Sequence, residues 1–313
     1  MKKFKLQFVF CFLISLFLTG TAFSADEPFR SVASGNWNST STWELSTNGG
    51  ANWIPATSTP TNLSGAITIS NVVTVTADVT ADQITIQPGA TLSINSGITL
   101  TYPGNASTFT LTNATVSGAG TFKVEGPMTL DLKPSGVFSA GLRIASGSVR
   151  ATDLSSPRIG RLYGPVTVDS GAILGSYLSF NNTAFNLEFY GDLTNNGTIT
   201  SAPAVADNKR HSFKGSVLIN NGIINPSIFT IDSTANVSGT GTFSPTNYLS
   251  VETNGNVTLI SNVNFSPEGE FYILPGGILN PNGNTLNFTS GTLEIQSGGT
   301  IVNSGLVRTQ NSV

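Results

Sequence analysis

The chain has 313 residues, of which 39% are hydrophobic and only 10% charged, against roughly a quarter charged in ordinary globular domains; a coiled coil and a nucleic-acid binder are excluded. Thirty-three Gly and fifteen Pro, among abundant Thr, Asn and Ser, exclude a mainly helical fold. The formal net charge is -3.

Residues 1–24 read as a secretory signal peptide. Lys2, Lys3 and Lys5 form the positive start, Leu6 to Leu18 the apolar run, and Ala22-Phe23-Ser24 a small-residue cleavage site before Ala25. The run is short for a membrane span and no second one follows, so no membrane insertion is expected after cleavage. Loss of the leader leaves eleven Lys and Arg against seventeen Asp and Glu, a net charge of -6. Such a surface is unsuited to phosphate backbones or anionic lipid. The only cysteine, Cys11, lies inside the leader, so neither a disulfide nor a thiolate metal site is expected in the mature chain.

Residues 25–66 hold all three tryptophans, Trp37, Trp43 and Trp53, each among turn formers. Large aromatics usually bury, and the segment is expected to cap the fold that follows; a sugar-stacking platform is the alternative. From residue 67 to 313 the texture changes to short alternating strands separated by Gly, Asn or Pro, as in Ile67-Thr-Ile69 and Ile84-Thr-Ile86. Alternation puts Ile84, Ile86, Leu92, Ile94, Ile98 and Leu100 on one face and Thr85, Ser93 and Thr99 on the other.

Internal repetition decides the architecture. Ala114-Thr-Val-Ser-Gly-Ala-Gly-Thr-Phe122 recurs as Ala235-Asn-Val-Ser-Gly-Thr-Gly-Thr-Phe243, and Leu193-Thr-Asn-Asn-Gly-Thr-Ile-Thr200 recurs as Leu218-Ile-Asn-Asn-Gly-Ile-Ile-Asn225. Pro88-Gly-Ala-Thr-Leu92 is echoed by Pro275-Gly-Gly-Ile-Leu279, and a Thr-aliphatic cell returns at Asn284, Gly291 and Gly299. Degenerate repeats of about 20 to 25 residues fit the turn of a β-solenoid. The expected fold is an all-β, right-handed parallel β-helix of roughly ten to twelve turns, with Gly and Asn at corners that need positive φ. Phe109, Phe122, Phe189, Phe213, Phe229, Phe243, Phe265 and Phe288 are expected to point inward. The last stretch, Gly305 to Val313, ends in the same grammar without a polar cap. It reads as a fraying turn, a self-associating edge, or the N-terminal part of a longer protein with further domains.

The pattern Ser34-Gly-Asn-Trp37, Ser41-Thr-Trp43, Asn52-Trp53-Ile-Pro55 and Ile84-Thr-Ile-Gln-Pro-Gly-Ala-Thr-Leu92 resembles the N-terminal region of large secreted surface proteins of Bacteroidetes-type bacteria, commonly exported by a type IX route. The resemblance covers residues 30–100. It implies an adhesin-like, extracellular or cell-surface protein built on a parallel β-helix; no C-terminal sorting domain of that group is recognisable.

Chemistry-bearing residues are few. The single histidine, His211, sits in Lys209-Arg210-His211, and a second basic group, Arg158, Arg161 and Tyr163, lies in Ser156-Pro-Arg-Ile-Gly-Arg-Leu-Tyr163. A polysaccharide lyase needs such a base beside a cation, and a hydrolase needs two carboxylates on one face. Neither cluster has paired acids nearby in sequence, and both read as solvated loops. Asp131, Asp153, Asp169, Asp192 and Asp232 are scattered singly, as turn residues are. Gly118/Gly120 and Gly239/Gly241 lack the third Gly and following helix of a nucleotide site and read as corners.

No catalytic, cofactor-binding or metal residue is assigned. The expected function is a structural or adhesin-like stalk without catalytic activity, its partner an extracellular polysaccharide or another surface protein. The alternative is a polysaccharide-binding or polysaccharide-degrading β-helix, which requires exposed tyrosines, among Tyr102, Tyr163, Tyr177 and Tyr248, aligned beside the Arg158 or Lys209 cluster. A third reading, an ice-binding face, requires a Thr-x-Thr pair on nearly every turn; Thr74/Thr76 and Thr99/Thr101, 25 residues apart, are read as one turn apart, after which the series breaks.

Overall fold

The computed structural model describes residues 27–133, 135–152, 159–176, 186–201, 210–302 and 305–309. The leader with Cys11, and Asp153, Arg158, Tyr177 and Lys209, lie outside the described residues. Every regular element described is a β-strand apart from one short 3-10 turn, Thr40–Thr42. No helix among these residues is long and apolar enough to cross a membrane.

The strands come in threes. Thr91–Ile94, Thr99–Tyr102 and Thr108–Leu111 form one turn, and each pairs in parallel with its equivalent one turn later. The result is a three-sided β-solenoid with a 12-stranded face 1, an 11-stranded face 2 and a 10-stranded face 3. Ten turns run from Thr91–Ile94 to Leu306–Thr309 among the described residues.

Alternation within each strand sends every second side chain inward, where like stacks on like. On face 2 the inward column reads Leu100, Phe122, Leu142, Val166, Leu193, Leu218, Val237, Leu259. All eight expected phenylalanines are buried, joined by Phe138, Phe271 and Tyr102. Each contributes roughly 1.5–3 kcal/mol of burial. Tyr102, expected among the exposed tyrosines, points inward, with its hydroxyl 2.8 Å from Ser107 Oγ.

Register explains the repeats and corrects their reading. Leu193 and Leu218 are equivalent positions one turn apart on face 2. The longer repeat is displaced by one face: Thr115–Ser117 lies on face 1, whereas Thr234–Ser238 lies on face 2. The Pro-Gly echo is displaced in the same way, since it leads into Thr91–Ile94 on face 1 and Ile278–Asn280 on face 2. The three C-terminal cells are successive sides of one turn, Thr285–Phe288, Thr292–Ile295 and Thr300–Ile301. The repeating unit of sequence is therefore one side, because each side poses the same demand: a corner, then inward apolar residues. The Thr pairs follow suit. Thr74 is on face 1 and Thr99 on face 2, so they are not one turn apart on a common surface.

Two corner devices hold the stack. Asn195 and Asn220 fill inward positions at one corner; Asn195 Nδ2 donates to Asn220 Oδ1 (2.8 Å) and to the Ile223 carbonyl (3.0 Å), and Asn220 Nδ2 donates to the Thr242 carbonyl (3.1 Å). Beside them Gly197, Gly222 and Gly241 form a column in which an added Cβ at Gly222 would lie 2.0 Å from the Gly197 oxygen. Positive φ explains corners such as Gly118 and Gly239 (φ 102° and 112°), but not this column; close backbone approach does.

At the N-terminal end, Trp43–Leu45 pairs antiparallel with Phe29–Ser31 and with Ile54–Pro55, while Phe29–Ser31 runs parallel to Ile67–Ile69. Trp37 and Trp43 are buried at 2% and 1% exposure and meet edge to face, centroids 5.2 Å apart. Their indole N–H groups donate to the carbonyls of Pro60 and Trp37. Gly35–Asn36 pairs with Val72–Val75 and so joins face 1.

The Gly222→Ala substitution is expected to destabilise the chain by about 1–3 kcal/mol through backbone overpacking, visible as a lower midpoint in chemical denaturation. Ala at Gly171, where a Cβ meets nothing within 4 Å, tests the φ effect separately.

Candidate functional site

Charge is unevenly distributed over the three faces. From Val166–Val168 to Thr285–Phe288, the strands of faces 2 and 3 contain no Asp, Glu, Lys or Arg. Their outward positions are Thr, Asn, Ser, Ile and Val. Face 1 over the same turns carries ionised side chains and tyrosines in three columns along the solenoid axis.

The central column reads Arg161, Glu188, Ser212, Thr230, Ser250, Tyr272, Glu294. One flank holds Asn186, Arg210, Ile228, Tyr248 and Glu270. The other holds Tyr163, Tyr190, Lys214, Asp232 and Glu252, each one residue past its strand and bonded through its N–H to the preceding turn. Arg161 and Arg210 are thus strand residues, and the expectation that both basic clusters form solvated loops is corrected for them. The acids that looked absent come from neighbouring turns.

Glu188 is the hub. It accepts from Arg161 Nε (3.0 Å) and the Tyr190 hydroxyl (3.1 Å), and its other oxygen lies 3.1 Å from Lys214 Nζ. Partial burial opposes its ionisation, but Lys214, Tyr190 and Arg161 together outweigh burial and hold the carboxyl below its ordinary range. Lys214 likewise loses some solvation yet is held protonated by Glu188. Lys214 also reaches Asp232 (4.0 Å) and sits 5.4 Å from the centre of the Tyr190 ring, within cation–π range. Tyr190 in turn stacks on Tyr163, centroids 5.0 Å apart and planes 26° apart.

One turn beyond Glu188, Arg210 reaches two turns along the surface to Glu252 (3.0 Å). Beneath this pair Ser212, Thr230 and Ser250 are buried although they occupy outward positions. Arg210 Nε donates to Ser212 Oγ and Thr230 Oγ1, Thr230 donates to Ser212, and Ser250 donates to Glu252. Tyr248 and Tyr272 meet edge to face at 5.6 Å. Tyr272 donates to Glu270, whose carboxylate pushes the phenol up to about 12.

His211 lies on the same strand as Arg210 and Ser212 but points the other way. It is fully buried in an inward column between Leu187 and Phe229, with neither ring nitrogen hydrogen-bonded among the described residues. Desolvation lowers its pKa from 6.5 to about 3, so it is a neutral core residue. Asp131, expected in a turn, is a buried strand residue paired with Lys133 (3.0 Å). Asp169 and Asp192 do sit beside strand ends, Asp192 accepting from the Val217 N–H. No group of three or more His, Cys, Asp or Glu among the described residues is placed to hold a metal. At the cap, Trp37 and Trp43 are too buried for a platform, and Trp53 is covered by the Arg30 guanidinium, 4.5 Å above its ring.

Sequence reading singled out Arg161, Tyr163, Arg210, Asp232 and Tyr248 but missed Glu188, Tyr190, Lys214, Glu252 and Tyr272. The available signal was a charge at the centre of an alternating strand, as in Asn186-Leu-Glu-Phe189, within a chain so poor in charge. The chain matches no family model, no curated protein and no solved structure.

His211 makes stability depend on pH. Its folded pKa is depressed, so below 6.5 the unfolded chain binds a proton that the folded chain refuses. Its contribution is intact above pH 6.5 and is lost between 6.5 and about 3, at up to about 1.4 kcal/mol per pH unit. Denaturation of the native chain and a His211→Leu variant across pH 4–8 is expected to show curves that diverge in acid, the variant losing less.

Proposed function

We propose that the chain is a secreted or cell-surface, adhesin-like β-solenoid whose face 1 binds extracellular polysaccharide. The observation that carries this reading is the segregation of ionised groups and tyrosines onto face 1 over the turns from Val166–Val168 to Thr285–Phe288, where the strands of the other two faces carry no Asp, Glu, Lys or Arg. A stalk with no contact surface has no need of that asymmetry, since uncharged Thr and Asn suffice to solvate faces 2 and 3. Tyr163 and Tyr190 stack in one flank column of that face, and Tyr248 and Tyr272 meet edge to face across the opposite flank and the central column, so the face offers two aromatic pairs to a sugar. The location rests on the leader-like residues 1–24 and on the resemblance of residues 30–100 to secreted surface proteins.

Binding without turnover fits the protonation states. General acid–base catalysis works best when the group's pKa lies near the operating pH, whereas Glu188 is held ionised and Lys214 protonated. His211 is enclosed in the core.

The secreted chain is expected to be retarded in affinity gels containing a subset of plant, algal or bacterial polysaccharides, with no reducing ends or unsaturated products released. A Tyr190→Ala/Tyr248→Ala variant is expected to lose retardation, and a Thr194→Ala/Thr258→Ala variant, altered on face 2, to keep it. Equal behaviour of the two variants, or product release, rejects the proposal.

A further inference from the structure

Face 1 changes height at Tyr163. The flank column that carries Tyr163, Tyr190 and Lys214 continues toward the N-terminus as Ser139, Ser117 and Ser93, one per turn. The hydroxyl-bearing floor therefore ends against an aromatic wall. Tyr190 covers the C-terminal side of the Tyr163 ring. The other side faces Ser139, no ring or cation stacks on it among the described residues, and Tyr163 is 43% exposed, more than Tyr190 at 37%.

We propose that this step is a saccharide subsite, and that its ligand is a neutral, extended glycan lying along the solenoid axis. The proposal rests on the reading of face 1 as a polysaccharide contact and specifies the ligand. An aromatic face backed by a second ring suits the C–H face of a pyranose, and the floor of Ser139, Ser117 and Thr115 offers hydroxyls to its rim. Turns repeat at about 4.8 Å, comparable to one sugar along an extended chain, so successive rings meet equivalent hydroxyls in successive turns.

Charge selects the neutral class. Among the described residues the cations of this face are already engaged, Arg161 and Lys214 by Glu188 and Arg210 by Glu252. Glu270 and Glu294 add negative charge further along. An acidic glycan would have to break an ion pair and approach a carboxylate-rich surface; a neutral one does neither.

The test is calorimetric titration of the full secreted chain with neutral oligosaccharides (cello-, laminari- and manno-oligomers) and with oligogalacturonate, at low and high salt. A neutral oligomer is expected to bind with salt-independent affinity. Tyr163→Ala is expected to weaken it about fivefold to tenfold, Tyr163→Phe to retain it, and Ser139→Tyr, which fills the free side of the ring, to abolish it. Unchanged thermal midpoints show that the variants are folded. Tighter, salt-dependent binding of oligogalacturonate, or unaltered neutral binding by Tyr163→Ala, overturns this inference and leaves face 1 as the contact surface. If neither these oligomers nor any polysaccharide in the affinity gels binds, the reading of face 1 falls, and the subsite with it.

Discussion

Parallel strands one turn apart lie about 4.8 Å from each other in fixed register, so every side chain of this coil is held against the same position in the turns before and after it. That constraint decides what each position tolerates. An inward apolar side chain packs on apolar neighbours above and below, which the face 2 column from Leu100 to Leu259 supplies. An inward polar group can find a partner in the same column, as Asn195 and Asn220 do. Where backbones close on each other at a corner there is room for no side chain, and Gly197, Gly222 and Gly241 follow one another.

The same rule governs the surface. Like charges directly opposite each other on paired strands are unfavourable, so a charged column must alternate or be neutralised from the side. Arg161 above Glu188 alternates, and Lys214 is placed to serve Glu188 on one side and Asp232 on the other. On face 2 Lys123 and Arg143 do stack directly, and each has its own carboxylate, Glu125 and Asp169 respectively. Exposed ion pairs contribute little stability singly. Their effect on face 1 is positional: the long side chains of Arg161, Lys214 and Arg210 are each tied to a carboxylate.

His211 shows how strictly alternation sorts neighbours. Arg210, His211 and Ser212 are consecutive, yet Arg210 and Ser212 share a surface network while the imidazole lies between Leu187 and Phe229 in the core. A run that reads as one basic cluster is split across the sheet, because successive residues of a strand point to opposite faces.

The amino-acid sequence alone determined the all-β class, the solenoid and the inward phenylalanines, because period-2 alternation and Gly/Asn corners are local properties that each segment displays by itself; its range of roughly ten to twelve turns includes the ten counted among the described residues. It also showed Asn195 and Asn220 as equivalent, through a repeat of one full turn. It did not show that there are three sides: by sequence the repeats from Ala114 and Ala235 read as turns, whereas register makes them sides. Only the tertiary structure decided which residues meet. Arg161 and Glu188 are 27 residues apart and become neighbours through register, which depends on the length of every intervening connection, and no local pattern in the chain encodes that sum.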